Sequence, residues 1–171
     1  MSKAIGFIGL GVMGFSMAGH LSKEHNVFVF NRTSSKSKDW LKKYQGTECK
    51  TVREITKKSD ILILCVGNDA DVRNIICDDA GVLNSAKPGL VIVDHTTTSA
   101  DLPIELNQIL NTKDITFIDA PISGGQAGAE NGKLSVMAGG DKESFEKVEI
   151  ILQEYSKFIK YLGPSGSGQL T

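Results

Sequence analysis

Gly9-Leu10-Gly11-Val12-Met13-Gly14 places glycine at the first, third and sixth positions of a six-residue run. That spacing suits a turn whose backbone must receive an anion. Gly9 permits the tight bend, Gly11 has no Cβ to obstruct a pyrophosphate, and Gly14 lets a following helix pack closely, while the helix N-terminus offers free N–H groups. The motif carries weight only with a strand before it and a helix after it. Both are present: Ala4–Gly9 is an apolar strand pattern and Val12–Glu24 has helical spacing. The whole run from Gly9 through Leu10, Gly11, Val12 and Met13 to Gly14 is therefore expected to bind a dinucleotide.

A second strand pattern, Val27–Asn31, ends about twenty residues on, where an acid would hold a ribose 2′-hydroxyl and a cation would hold a 2′-phosphate. The residues there are Asn31-Arg32-Thr33, followed by Ser34, Ser35 and Lys36. With no carboxylate at this point and a guanidinium able to grip a phosphate through two parallel N–H bonds, the sequence predicts NADP as cofactor, with NAD still possible.

The elements that must position these groups follow from an alternation of short apolar runs with longer helical ones. Strands are expected at Ala4–Gly9, Val27–Asn31, Ile61–Val66, Leu90–Asp94 and Ile115–Ile118, with weaker ones at Ser135–Ala138 and Phe158–Tyr161. Helices are expected at Val12–Glu24, Ser34–Tyr44, Val52–Thr56, Asp69–Cys77, Ala100–Leu110 and Lys142–Tyr155. This is the pattern of an α/β protein with a doubly wound, mostly parallel sheet. Its ligand belongs beyond the carboxyl ends of the strands.

With 171 residues, 40% of them hydrophobic, the chain suffices for one domain with a full core. Nineteen basic against 20 acidic residues leave a formal charge of −1, which excludes a basic nucleic-acid binder and an acidic disordered tail. Cys49, Cys65 and Cys77 are odd in number and lack metal-ligand spacing, so neither a disulfide framework nor a metal site is expected, and a reduced compartment fits. No apolar run approaches the roughly 18 residues of a membrane span, and the first strand begins too early for a cleaved presequence. A cytoplasmic protein is the expectation. Lys42-Lys43 and Lys57-Lys58 read as solvated faces, and Cys65 and Trp40 as packing residues. The segment from Gly163 to Thr171 has the glycine and serine content of a linker.

The opening run, together with Met17-Ala18 and Leu21, resembles the start of the β-hydroxyacid dehydrogenases, the group of 3-hydroxyisobutyrate dehydrogenase and the glyoxylate and succinic semialdehyde reductases. A second block, Asp119-Ala120-Pro121-Ile122-Ser123-Gly124-Gly125-Gln126-Ala127-Gly128-Ala129, continuing to Gly132 and Met137-Ala138-Gly139-Gly140, resembles that family's substrate-binding signature. The resemblance implies a Rossmann dinucleotide-binding domain over residues 1–162 and a loop over 163–171. It also implies that Ser123, Gly124 and Gly125 hold a substrate carboxylate, chemistry that a hydroxyl and two unobstructed backbone N–H groups suit. Thr97, in Asp94-His95-Thr96-Thr97, would contact nicotinamide and substrate, and Val66 and Gly67 the dinucleotide, although the family often has Leu-Pro at that pair. His95 falls on a variable position of the family pattern; as chemistry it is either a general acid beside Asp94 or a bystander.

The family's acid/base is a lysine in the pattern GxxxKxxxN, at the start of a helix leading into an all-helical domain. Gly168-Gln169-Leu170-Thr171 supplies the first four letters, so the lysine is expected just after Thr171 and the helical domain, with the oligomer contacts it makes, is absent from this sequence. No catalytic residue is assigned within the chain. The expected function is the cofactor-binding part of an NAD(P)-dependent oxidoreductase that moves a hydride between nicotinamide and a small, carboxylate-bearing 3-hydroxy acid or semialdehyde. Alternatives are a 6-phosphogluconate dehydrogenase-like enzyme, which shares the Asn-Arg-Thr strand end and a Ser-Gly-Gly block, and a non-catalytic NADP-binding module.

Overall fold

The computed structural model describes residues 3–171. Met1 and Ser2, the first two residues of the expected domain, lie outside the described residues.

Six strands run parallel: β1 (Ala4–Ile8), β2 (Asn26–Phe30), β3 (Thr47–Glu48), β4 (Ile61–Leu64), β5 (Val91–Asp94) and β6 (Thr116–Asp119), in the order β3-β2-β1-β4-β5-β6. Three more complete a nine-stranded sheet: β8 (Leu134–Gly139) runs antiparallel beside β6, with β7 (Ile122–Ser123) antiparallel and β9 (Ser156–Gly163) parallel to it. The helices are α1 (Gly14–Ser22), α2 (Ser34–Lys43), α3 (Val52–Lys58), α4 (Asp69–Cys77), α5 (Asp101–Asn111), α6 (Gly125–Asn131) and α7 (Lys142–Leu152), with a single 3₁₀ turn at Val82–Asn84. This is the doubly wound, mostly parallel architecture expected from the alternation of patterns.

The centre of the sheet is buried on both faces because β1, β4 and β5 are nearly continuous apolar runs, as parallel strands covered by crossover helices tend to be. Ile5, Phe7, Ile61, Ile63, Val91 and Val93 meet Met17 and Leu21 of α1, Trp40 of α2 and Phe145 and Val148 of α7. On the opposite face Ile8, Leu62, Leu64 and Ile92 meet Ile55 of α3, Val72 and Ile76 of α4 and Leu102, Leu106 and Leu110 of α5. Trp40 is fully buried and donates its indole N–H to Phe15 O at 3.1 Å, the packing role expected of it. Side-chain caps fix three helix starts: Thr51 accepts from Glu54 N–H, Asn68 from Asp71 N–H and Asp141 from Ser144 N–H.

Four elements go beyond the expected list: β3, β7, α6 and the 3₁₀ turn. Two-residue strands leave almost no periodicity to read. Helix α6 contains Gly125 and Gly128, poor helix formers, and is held instead by its ending. Gly132 adopts a left-handed conformation (φ 67°) and Lys133 N–H reaches back to Gly128 O at 2.8 Å, satisfying carbonyls that the helix leaves free.

The segment after β9 has a linker's composition but not a linker's behaviour. The buried Asp119 carboxylate accepts Gly166 N–H on one oxygen (2.9 Å) and Gln169 N–H on the other (3.2 Å). Gln169 in turn donates its amide to Thr96 O at 2.8 Å and accepts from Thr98 N–H at 3.1 Å. Gly168 packs so tightly that a Cβ would lie 2.5 Å from Met137 O. Asp119→Ala should therefore release residues 163–171 while leaving the rest of the sheet intact. Amide hydrogen exchange is expected to show protection lost at Gly166 and Gln169 and kept in β1, β4 and β5; unchanged protection at the two amides would contradict the anchoring role.

Candidate functional site

Strand β1 lies between β2 and β4, so the chain leaves it in one direction to build β2–β3 and in the other to build β4–β6. The loops at the carboxyl ends of β1, β2 and β4 part at this switch point, which is where an open α/β sheet receives its ligand. They enclose a cleft of about 690 Å³ lined by residues that include Gly9, Gly11, Val12, Met13, Gly14, Asn31, Arg32, Thr33, Val66 and Gly67. Ten of the twelve residues expected to bind a dinucleotide thus converge on one surface.

The three motif glycines divide their work as their spacing requires. A Cβ on Gly9, whose φ is 104°, would sit 2.1 Å from Cys65 O, and one on Gly14 would sit 2.0 Å from Gly9 O. Both clashes are with backbone, so neither residue can be replaced without moving a strand tip. A Cβ on Gly11 meets nothing within 4 Å and would project into open space at the cleft. Gly9 N–H is spent on Phe30 O, yet the N–H groups of Gly11, Val12 and Met13 have no acceptor among the described residues, and the first turn of α1 has no acidic side chain. Three free donors and the positive end of a helix dipole form a cradle for an anion. The residues present fit a pyridine dinucleotide.

Leu10 is placed differently from its neighbours. Its side chain is buried and its N–H donates to Asn31 Oδ1 at 2.8 Å, so it shapes the turn from behind and does not line the cleft. Asn31 also donates to Thr33 O at 3.0 Å, which ties the β1 and β2 loops together. Arg32 is almost wholly exposed, and its nearest charge is Asp71 Oδ1 at 4.0 Å. Asp71 also lines the cleft, with Asn74 and Asp78 from the same helix and its end. Sequence reasoning about the end of β2 missed this carboxylate because it comes from α4, two strands away in the sheet.

The remaining expected residues lie outside the cleft lining. Thr97 is exposed beyond β5, one residue past Thr96, whose hydroxyl accepts Val66 N–H at 3.0 Å and so couples the β4 and β5 loops. Ser123, Gly124 and Gly125 are exposed at the end of β7 and the start of α6, where Gly124 (φ 130°) and Gly125 (φ 63°) take conformations that favour glycine. They are not among the residues that line the cleft.

Behind Thr97 lies a buried polar cluster. His95 has one ring nitrogen 2.6 Å from Ala120 O and the other 2.6 Å from Tyr155 Oη. A carbonyl only accepts, so Nδ1 carries the proton and Nε2 accepts from the tyrosine hydroxyl. Burial lowers the His95 pKa to about 4, the Ala120 carbonyl opposing it only in part, and burial also pushes Tyr155 upward. With both nitrogens engaged and the ring neutral, His95 is a structural bystander and not a general acid. Beside it, burial raises Asp94 to about 7, outweighing the Thr96 hydrogen bonds that favour its charged form, with the Asp119 and Asp69 charges adding to the rise. Cys65, expected in the core, is half-buried and reaches the cleft floor; burial first, then Asp94, lifts its thiol to about 12, which keeps it protonated and unreactive at neutral pH.

Two outcomes follow. Gly14→Ala should cost roughly 1–3 kcal/mol of stability, the range for overpacking a tight contact. Gly11→Ala should leave urea unfolding nearly unchanged and weaken dinucleotide binding at least tenfold; equal behaviour of the two variants would contradict the division of roles.

The second outcome concerns pH. Between about 4 and 6.5 the unfolded chain holds a proton on His95 that the native state lacks, so this residue makes stability rise with pH. Over the same range the native state holds a proton on Asp94 that the unfolded chain lacks, so stability falls with pH. The two slopes oppose each other. Asp94→Asn should unmask the histidine slope, about 1.4 kcal/mol per pH unit in the middle of that range, in urea unfolding measured from pH 4 to 7. Parallel profiles for parent and variant would contradict the assignment.

Comparison with known proteins agrees with this geometry. Residues 4–163 match the family described as the NAD binding domain of 6-phosphogluconate dehydrogenase. An uncharacterized oxidoreductase of Shewanella frigidimarina is 47% identical over 98% of this chain and 58% of its own length. A probable 3-hydroxyisobutyrate dehydrogenase-like protein of Arabidopsis thaliana is 39% identical over 96% of the chain and 55% of its own. Among solved structures, the 3-hydroxyisobutyrate dehydrogenase of Mycobacterium tuberculosis with L-serine superposes with a TM-score of 0.92 at 27% identity, covering 99% of this chain and 57% of that one. The chain spans about half the length of the curated relatives it matches, from 49% to 59%.

Proposed function

The chain belongs to the family of the NAD-binding domain of 6-phosphogluconate dehydrogenase, and from that premise we propose that it is the cofactor-binding part of an NADP-preferring oxidoreductase acting on a small 3-hydroxy acid or semialdehyde. The observation that carries the cofactor half of this reading is the cradle itself: three N–H groups without an acceptor among the described residues, beside a Gly11 whose missing Cβ leaves the space open.

In this reading the N–H groups of Gly11, Val12 and Met13 bind the diphosphate. Arg32 and Thr33 bind the 2′-phosphate end, while Asn31 spends its amide holding the two loops in register. Val66 and Gly67 flank the middle of the dinucleotide, and Thr97 orients the nicotinamide. When bound, the cofactor supplies or accepts the hydride. Ser123, Gly124 and Gly125 hold the substrate carboxylate, and their exposure outside the cleft suits a second ligand meeting the first across the strand tips. The substrate class rests on the relatives named as 3-hydroxyisobutyrate dehydrogenases.

Reduction of a carbonyl also needs a proton for the developing alkoxide. His95 cannot give it, because its only proton is held by Ala120 O deep under the loop. The family resemblance assigns that role to a lysine in the pattern GxxxKxxxN, of which Gly168-Gln169-Leu170-Thr171 matches the first four letters.

Calorimetric titration tests the cofactor assignment. NADP⁺ should bind the chain more tightly than NAD⁺, and Arg32→Asp should weaken NADP⁺ about tenfold, the loss of one charge-assisted phosphate contact, with a smaller effect on NAD⁺. Equal affinities that the substitution leaves unchanged would overturn the NADP preference, and absence of binding by either would overturn the cofactor reading.

A further inference from the structure

We infer that Asp71 is a second determinant of cofactor choice, an acceptor for the adenosine ribose hydroxyls that opposes Arg32 and narrows the preference for NADP over NAD. The inference rests on the proposed cofactor reading and deepens it.

At the end of β2 the sequence offers the adenosine half of a dinucleotide a guanidinium, an amide and hydroxyls but no carboxylate. A 2′-phosphate needs donors, but a free 2′-hydroxyl is best held by a carboxylate. The fold supplies that carboxylate from elsewhere. Asp71 sits in the first turn of α4, where Asn68 caps the helix by accepting Asp71 N–H at 2.9 Å, so its backbone is fixed. One carboxylate oxygen accepts Gly67 N–H at 3.2 Å. The other faces Arg32 at 4.0 Å. Gly67 makes this possible, because a Cβ there would lie 2.6 Å from Asp71 Oδ2 and would displace the side chain. Asp71, Gly67 and Arg32 all line the same cleft.

The arrangement gives one end of the cleft both a cation and an anion. The Asp71–Arg32 contact is too exposed and too long to matter for stability. Its consequence lies in binding. A 2′-phosphate brings close to two negative charges next to Arg32 and must also approach Asp71, so part of the attraction is cancelled and the guanidinium must leave its carboxylate partner. A ribose with a free 2′-hydroxyl meets no repulsion and gains an acceptor. Asp78 also lines the cleft, but it follows the end of α4 and has no contact with Arg32.

Asp71→Asn is the informative substitution, since an amide keeps an oxygen for Gly67 N–H and replaces the charged oxygen facing Arg32 with a neutral NH2. Calorimetric titration of the parent and variant with NADP⁺ and with NAD⁺ should show the ratio of the NAD⁺ to the NADP⁺ dissociation constant rising at least fivefold in Asp71→Asn. Most of the change should come from tighter NADP⁺ binding, and it should shrink as salt is raised. Asp71→Ala, which also loses the contact with Gly67 N–H, should in addition weaken NAD⁺. A ratio that stays constant or falls in Asp71→Asn would overturn the inference. If Arg32→Asp alters the ratio while Asp71→Asn does not, only this inference fails; if the parent binds neither dinucleotide, the cofactor reading fails and takes the inference with it.

Discussion

The contact on which the rest depends is the approach of Gly14 to the carbonyl of Gly9. A methyl group at Gly14 would have to occupy a point 2.0 Å from that oxygen, so the first turn of α1 is pressed against the tip of β1 as closely as two pieces of backbone allow. That approach aims the helix N-terminus over the switch point between β1 and β4. Among the described residues it leaves the N–H groups of Gly11, Val12 and Met13 without acceptors, in a place where unpartnered donors would otherwise be a cost. An anion relieves that cost. Packing on the buried face, where Met17 and Leu21 of α1 lock against Phe7 and Val29, holds the geometry when no ligand is bound.

A second constraint works on the other side of the cleft. The tips of β5 and β6 carry Asp94 and Asp119 side by side in register, both buried. The structure tolerates the pair by treating its members differently. Asp119 receives two backbone N–H groups from the Gly163–Thr171 segment, whereas Asp94 accepts Thr96 N–H and is pushed by burial toward its neutral form. The loop after β5 is then held from three directions: by Val66 N–H on Thr96, by Gln169 on Thr96 and Thr98, and by His95 on Ala120 and Tyr155. Thr97 is exposed on top of a rigid base. Positions beyond β9 that look like a linker therefore bear on the loop expected to face nicotinamide.

Much of the cleft was legible in the sequence because its signals are local. The glycine spacing at Gly9, Gly11 and Gly14 encodes steric demands within six residues, and the apolar strands announce themselves by unbroken burial on both faces. What was not legible depends on residues distant in the chain. The acceptor for His95 Nδ1 is 25 residues away and its tyrosine partner 60, so nothing near His95 reveals that both nitrogens are engaged. Asp71 enters the cleft from α4, and only the fold brings it beside Arg32. Helix α6 is hidden by its own glycines and made by the left-handed turn at Gly132. Gly163–Thr171 is fixed by Asp119, some fifty residues earlier.

The central claim is that the first turn binds the diphosphate of a pyridine dinucleotide through its backbone. An amide-resolved NMR titration of the isotopically labelled chain with NADP⁺ tests it most directly. The account predicts that the N–H resonances of Gly11, Val12 and Met13 shift downfield and saturate together with those of Arg32 and Thr33, while Gly166 and Gln169 stay where they are. Saturable binding that leaves Gly11, Val12 and Met13 unmoved would contradict it.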